Sequence, residues 1–195
     1  MTRRSDDGLA YHSWFDSGLS LVERVIVLKS DSPDDEIDTN MSLHFIKCIA
    51  TLENLNDKPI CVILNSTGGD MYASLAIYDR IKDSHCAVCV RGYGAIMSGA
   101  SIIMQAAGLR QMSPNSHMMV HNGSVMLDAD IDKAQNWFDL YKNMGDVMYD
   151  IYYNNIHKIN KKITRQEVIE MCQKETILNA EQAKTIGLID QIYRG

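Results

Sequence analysis

Ile60-Cys61-Val62-Ile63-Leu64-Asn65-Ser66-Thr67-Gly68-Gly69-Asp70 is the stretch on which the reading of the fold turns. Its five leading residues are apolar without alternation, the mark of a strand buried on both faces. Paired glycines then let the backbone turn sharply. A helical spacing of apolar residues follows over roughly 71–83, and a second strand over 87–90. Strand, turn, helix and strand at this spacing make a βαβ unit in a mostly parallel sheet.

Working outward, the unit repeats. Before it, Ile37, Met41, Phe45, Ile49 and Leu52 recur every three or four positions and predict a helix over Ile37–Leu55. Val22–Leu28 predicts an earlier strand, and residues 1–20, with no clear period, a mobile or partner-contacting lead-in. After it come a small-residue turn at 92–95, a helix over roughly 98–107 and a strand at 117–121. Asp130–Ile159 reads as one long helix, with a break near Gly145 as the alternative. Thr164 and Glu167 form a capping box, and Asn179 caps a short helix that Gly187 closes. Leu188-Ile189-Asp190 begins a last strand. The reading is one α/β domain over residues 21–195.

Composition narrows the function. The chain has 195 residues, 19 Lys plus Arg against 25 Asp plus Glu, and a formal net charge of −6, which argues against a basic nucleic-acid footprint. With 46% hydrophobic and 23% charged residues it reads as an ordinary globule. The most apolar stretch, Ala95–Leu109, is shorter than the roughly 20 residues of a membrane span, and no apolar run follows Arg3-Arg4 to make a signal peptide. A soluble, cytoplasmic protein is expected. Five cysteines (48, 61, 86, 89 and 172) lie in apolar runs and read as reduced thiols. Cys86-x-x-Cys89 lacks the second pair of a zinc site and the turn of a redox motif.

Three strand ends carry the candidate chemistry. The Gly68-Gly69 turn leaves N–H groups pointing outward, suited to an anion or oxyanion, although a plain tight turn reads the same. It lacks the Lys-Ser/Thr of a phosphate loop. Ser98 follows a strand and small residues and opens an apolar helix, where free N–H groups and the dipole favour negative charge. That is the place for a nucleophile and equally for an N-cap. His121 ends a strand, where an imidazole could take the serine proton or serve structurally.

With these residues in hand, the chain resembles the ClpP family, the proteolytic subunits of ATP-dependent Clp proteases, over about residues 21–193. The resemblance rests on the strand Leu21–Leu28, the turn Asn65–Gly69 followed by Ala73–Asp79, the segment Ser113–His121, and the helix-glycine-strand run Ile177–Asp190. Thr67 stands where proline is usual. The fold implied is the ClpP/crotonase fold of repeated ββα units with a long handle helix. The activity implied is serine endopeptidase: Ser98 as nucleophile, His121 as base, the N–H groups of Gly69 and Gly99 as oxyanion hole. Aligning on Gly99-Ala100 instead would put Met97 at the nucleophile position, a rotation of about 100° on a helix.

Counting back from Ile177–Ala180 puts the family's triad acid on Met171; the carboxylates nearby, Glu170 and Glu175, read as a solvated helix face. Met97 and Met171 raise an inactive, structural ring subunit as the alternative, with crotonase-type acyl-CoA chemistry a distant third. The resemblance further implies unfolded polypeptide substrates, a homo-oligomer of two stacked seven-membered rings, and an AAA+ unfoldase that would use the ATP. It implies no cofactor, no metal, no nucleic acid and no membrane. The long helix adds its own clue. Trp137, Tyr141, Met144, Met148, Ile151, Tyr152, Ile156 and Ile159 form a stripe expected to be too long for one domain to cover.

Overall fold

A computed structural model describes residues 17–29, 36–124 and 130–194; most of the expected lead-in, residues 1–16, lies outside them. The described strands are β1 (Leu19–Ser20), β2 (Val25–Lys29), β3 (Ile60–Ser66), β4 (Val88–Met97), β5 (Leu109–Met112), β6 (His117–Val120), β7 (Thr176–Asn179) and β8 (Gln191–Ile192). The helices are α1 (Thr39–Leu55), α2 (Met71–Lys82), α3 (Gly99–Met104), α4 (Ile131–Ile159), α5 (Arg165–Gln173) and α6 (Ala180–Ile186). The sheet runs β1-β2-β3-β4-β5-β8, with β6 joined to β4 and β7 to β6. Among the described residues, only β1 against β2 and β7 against β6 are antiparallel.

One face of the sheet holds the core. Ile60, Val62 and Leu64 of β3 and Val88 and Val90 of β4 are buried there with Phe45, Ile49 and Leu52 of α1 and Ile77 of α2. The other face is only half covered: Cys61, Ile63, Cys89 and Arg91 are intermediate and Asn65 is exposed. The apolar run of β3 therefore alternates in burial, contrary to the expectation of two buried faces, because Cys61 and Ile63 turn to this second face. Helix ends follow the local signals. Asp38 and Asp70 cap α1 and α2, and the boxes at Thr164 and Asn179 are both closed.

The expected turn at 92–95 is instead the middle of β4. The strand is bulged there: Leu64 pairs with Gly92 but Ser66 with Ile96. Asn65 Oδ1 holds the bulge by accepting from the Ala95 N–H at 3.0 Å. Below the bulge β4 pairs with β5, and above it with β6. On the edge away from β3 the single strand thus serves two partners in turn, and it reaches Met97. The helix after it, expected to run to 107, ends at Met104.

Helix α4 is unbroken at Gly145 and its 29 residues span about 43 Å. Its stripe divides. Met144, Met148, Ile151, Tyr152 and Ile156 are buried on the chain's own core, while Trp137 and Ile159 at the two ends of the stripe are 43% and 65% exposed. The expectation that one domain could not cover the stripe therefore fails over residues 144–156, where it packs beside α3 and α5. Among the described residues no helix is long and apolar enough to cross a membrane.

Candidate active site

The register of β6 assembles the site. Met97, the last residue of β4, pairs with Met119 in parallel, and the Ser98 N–H donates to the Met119 carbonyl at 3.0 Å. On the other side Val120 pairs with Thr176 in antiparallel fashion. The residue that follows β6, His121, therefore stands between Ser98 and Glu175. His121 Nε2 lies 2.7 Å from Ser98 Oγ. Its Nδ1 lies 3.8 Å from Glu175 Oε2.

Two of these residues hold uncommon backbone angles. Ser98 has φ 52° and ψ −124° between strand and helix, a conformation that costs about 1–3 kcal/mol and occurs where a side chain must be aimed. A strained strand-to-helix turn is also what exposes the nucleophilic serine in α/β-hydrolases. Glu175, at φ 51°, follows the Lys174 cap of α5 and turns its side chain back toward the imidazole.

The glycine turn lies against this serine. Gly68 and Gly69 have φ +107° and +152°. A Cβ on Gly68 would stand 2.6 Å from Ser98 Cβ, and one on Gly69 would stand 2.4 Å from the backbone of Ile37. Both positions require glycine. The Gly69 nitrogen lies 3.7 Å from the point where a Cβ on Gly99 would stand, so the two N–H groups are neighbours. Among the described residues neither donates to an acceptor, whereas the flanking Gly68 and Asp70 N–H groups are taken by Ser66 Oγ and the Ile37 carbonyl.

The alternative residues fall elsewhere. Met97 sits at the end of β4, and the side chain that meets the imidazole is that of Ser98. Ser101 is fully buried, donating to the Ser98 carbonyl at 2.7 Å and lying 2.6 Å from Tyr152 Oη. Met171 packs against the core and its carbonyl accepts from Thr176 Oγ1 at 2.7 Å. The position onto which the family's triad acid falls therefore holds a core-packed methionine and supplies no carboxylate. The carboxylate facing His121 is Glu175, because α5 has ended at Gln173 and Glu175 is no longer on a helix face. Glu170 does lie on one, exposed and 3.4 Å from Gln166 Nε2. The signal that could have found Glu175 is the β-branched run Thr176-Ile177 after it, which makes it the residue at a strand end.

A hydroxyl on an imidazole, a carboxylate behind the imidazole and two adjacent free N–H groups make the arrangement of a serine hydrolase. A family model described as Clp protease matches residues 12–195. An ATP-dependent Clp protease proteolytic subunit 2 from Prochlorococcus marinus is 30% identical over 195 aligned positions, covering 95% of this chain and 89% of the relative. The ATP-dependent Clp protease proteolytic subunit of Deinococcus radiodurans is 26% identical over 159, covering 80% and 76%. A solved structure, a ClpP1 mutant from Listeria monocytogenes, shares the fold with a TM-score of 0.77 at 20% identity, over 90% of this chain and 94% of that one. The chain belongs to the Clp protease family, the ClpP-like serine-type endopeptidases.

Proposed function

We propose that this chain cuts unfolded polypeptides to short peptides with Ser98, His121 and Glu175. The observation that carries the reading is the 2.7 Å contact of Ser98 Oγ with His121 Nε2 at a strained turn. In the first half-reaction the Ser98 proton passes to Nε2 as Oγ attacks the peptide carbonyl. The oxygen that becomes negative is received by the N–H groups of Gly69 and Gly99. His121 then hands the proton to the leaving amine as the C–N bond breaks, and a water repeats the sequence on the ester. Glu175 holds the proton of His121 on Nδ1 and stabilises the imidazolium. At 3.8 Å, with its side chain 62% exposed, it does so weakly in the free enzyme.

Fluorophosphonate labelling tests this assignment. Mass spectrometry is expected to find the phosphonyl group on Ser98, with labelling in Glu175→Gln slower by roughly 10- to 100-fold, short of the ~10⁴ lost with a buried, hydrogen-bonded triad acid. Labelling at another serine sinks the nucleophile, and an unchanged rate in Glu175→Gln removes the carboxylate from the set.

The relatives' names describe subunits of an ATP-dependent protease. We propose for this chain a ring-shaped homo-oligomer, two stacked seven-membered rings with the sites inside, fed by an AAA+ unfoldase. Support comes from the exposed first turns of α4, where Trp137 and Tyr141 stack with centroids 6.4 Å apart and Phe138 stands in the open. Such an aromatic strip fits an interface. Light scattering at micromolar concentration is expected to give a mass many times the 22.0 kDa of the chain. A stable monomer refutes the assembly.

A further inference from the structure

Cys86 and Cys89 are the close pair in sequence, but they part in space. Cys86 is buried and its sulfur is 3.5 Å from an Arg24 guanidinium nitrogen. Cys89 finds a different neighbour. In the parallel ladder of β3 and β4 it stands directly opposite Cys61, and both side chains lie on the half-covered face of the sheet. Neighbouring strands are about 4.8 Å apart, within the 4.4–6.8 Å that Cα atoms span across a disulfide. We infer that Cys61 and Cys89 form a dithiol site, separate from the peptidase centre, that small-molecule disulfides convert to a reversible cross-strand disulfide.

The surroundings assign each sulfur a role. The neighbouring Cys89 thiol, with the Arg91 charge and against the cost of burial, pulls the Cys61 thiol down to about 7. The Cys89 thiol is pushed up, chiefly by the Cys61 sulfur beside it and by burial. Gln111 Oε1 accepts from Cys89 Sγ at 3.4 Å and from Arg91 Nε at 3.1 Å, holding thiol and cation together. Arg91 is itself fixed over the Tyr193 ring at 3.7 Å. A fixed guanidinium beside the pair favours a thiolate and disfavours a metal cation between the sulfurs.

Cys61 is thus the attacking thiolate. It displaces one thiolate from a disulfide RSSR to give a mixed disulfide. Cys89, after losing its proton, displaces the second and closes the Cys61–Cys89 bond. The protein loses two electrons and two protons, and RSSR is reduced to two RSH. The other cysteines are poorer targets, since burial pushes the Cys48 thiol up and the Cys172 thiol up to about 12. Closing the bridge joins the strands that lead to Gly69 and to Ser98.

The test uses the full chain, reduced and then freed of reductant. It is incubated with oxidised glutathione, denatured in N-ethylmaleimide and mapped by peptide mass spectrometry. Maleimide uptake is expected to fall from five thiols to three, with Cys61 and Cys89 recovered as one linked species that dithiothreitol reopens. In Cys89→Ser, glutathione stays joined to Cys61. In Cys61→Ser the link is lost and glutathione uptake falls roughly ten-fold or more, for want of the thiolate. Alkylation of Cys61 in the reduced chain rises as pH passes about 7. Five maleimides after oxidation, a bridge made through Cys86, or glutathione retained on Cys61 in the unsubstituted chain overturns the proposal.

Discussion

Ser98→Ala is expected to lower hydrolysis of a small fluorogenic peptide by about 10⁴-fold or more, with the chain still folded and assembled. Members of a serine–histidine unit act together, so losing the nucleophile removes nearly all that the unit contributes, of order 10⁶ in the best-studied case. What survives comes from the N–H pair and from binding alone. A small peptide is the right substrate because it needs no unfoldase to reach the site. Alanine keeps the Cβ that lies against Gly68 and meets the same backbone cost at φ 52° as serine, so the change is chemical and not structural. Equal rates for wild type and Ser98→Ala, measured at matched concentration, would reject Ser98 as nucleophile.

The second large effect concerns stability. Arg110 is 5% exposed and Asp190 meets it three ways. Asp190 Oδ1 accepts from Nη2 at 2.6 Å, while Oδ2 accepts from Nε at 3.1 Å and from the Arg110 N–H at 2.7 Å. Arg110 Nη1 also donates to the Gly187 carbonyl and to Gln105 Oε1. Gln105 in turn bonds Asn155 of α4 and the carbonyls of Ser101 and Leu188. One buried cation therefore ties β5 to β8 and the helix after Ser98 to the long helix.

Asp190→Ala leaves that guanidinium buried without its counter-charge, which costs 3–5 kcal/mol in fully buried pairs. Here about 2–4 kcal/mol is expected, since the Asp190 side chain keeps 33% of its exposure. The readout is the denaturation midpoint at fixed chain concentration, because assembly adds to apparent stability. A loss under about 1 kcal/mol would mean that solvent replaces the carboxylate.

The same pair sets a pH response. Partial burial alone would push the Asp190 carboxyl up, but the Arg110 hydrogen bonds and charge more than reverse this and hold it below the usual carboxylate range. A depressed folded value means stability fully present above the unfolded pKa, about 4, and lost as pH falls through the folded one. The gap between wild type and Asp190→Ala is therefore expected to narrow only in acid below about pH 4.

What the chain carries locally was legible without any structure. Helix α1 follows from apolar residues three and four apart, α5 from its capping box, α6 from its Asn179 cap and Gly187 stop, and the glycine turn from two residues that alone tolerate its angles. These are properties of a few consecutive residues, so they survive in the one-dimensional string. Ser98 and His121 can be named and expected to meet from the same string, but the contact itself is not written there. Their meeting depends on Met97 pairing with Met119, across more than twenty residues of chain. Glu175 is hidden for the same reason: its place beside the imidazole comes from the antiparallel register of Val120 with Thr176, and from α5 ending at Gln173, two residues before it. The bulge in β4 and the Cys61–Cys89 pair likewise arise only when β3 and β4 align. Periodicity and turn chemistry are short-range and written in the sequence. Register between distant strands is settled by packing the whole core at once, and that is where this site is made.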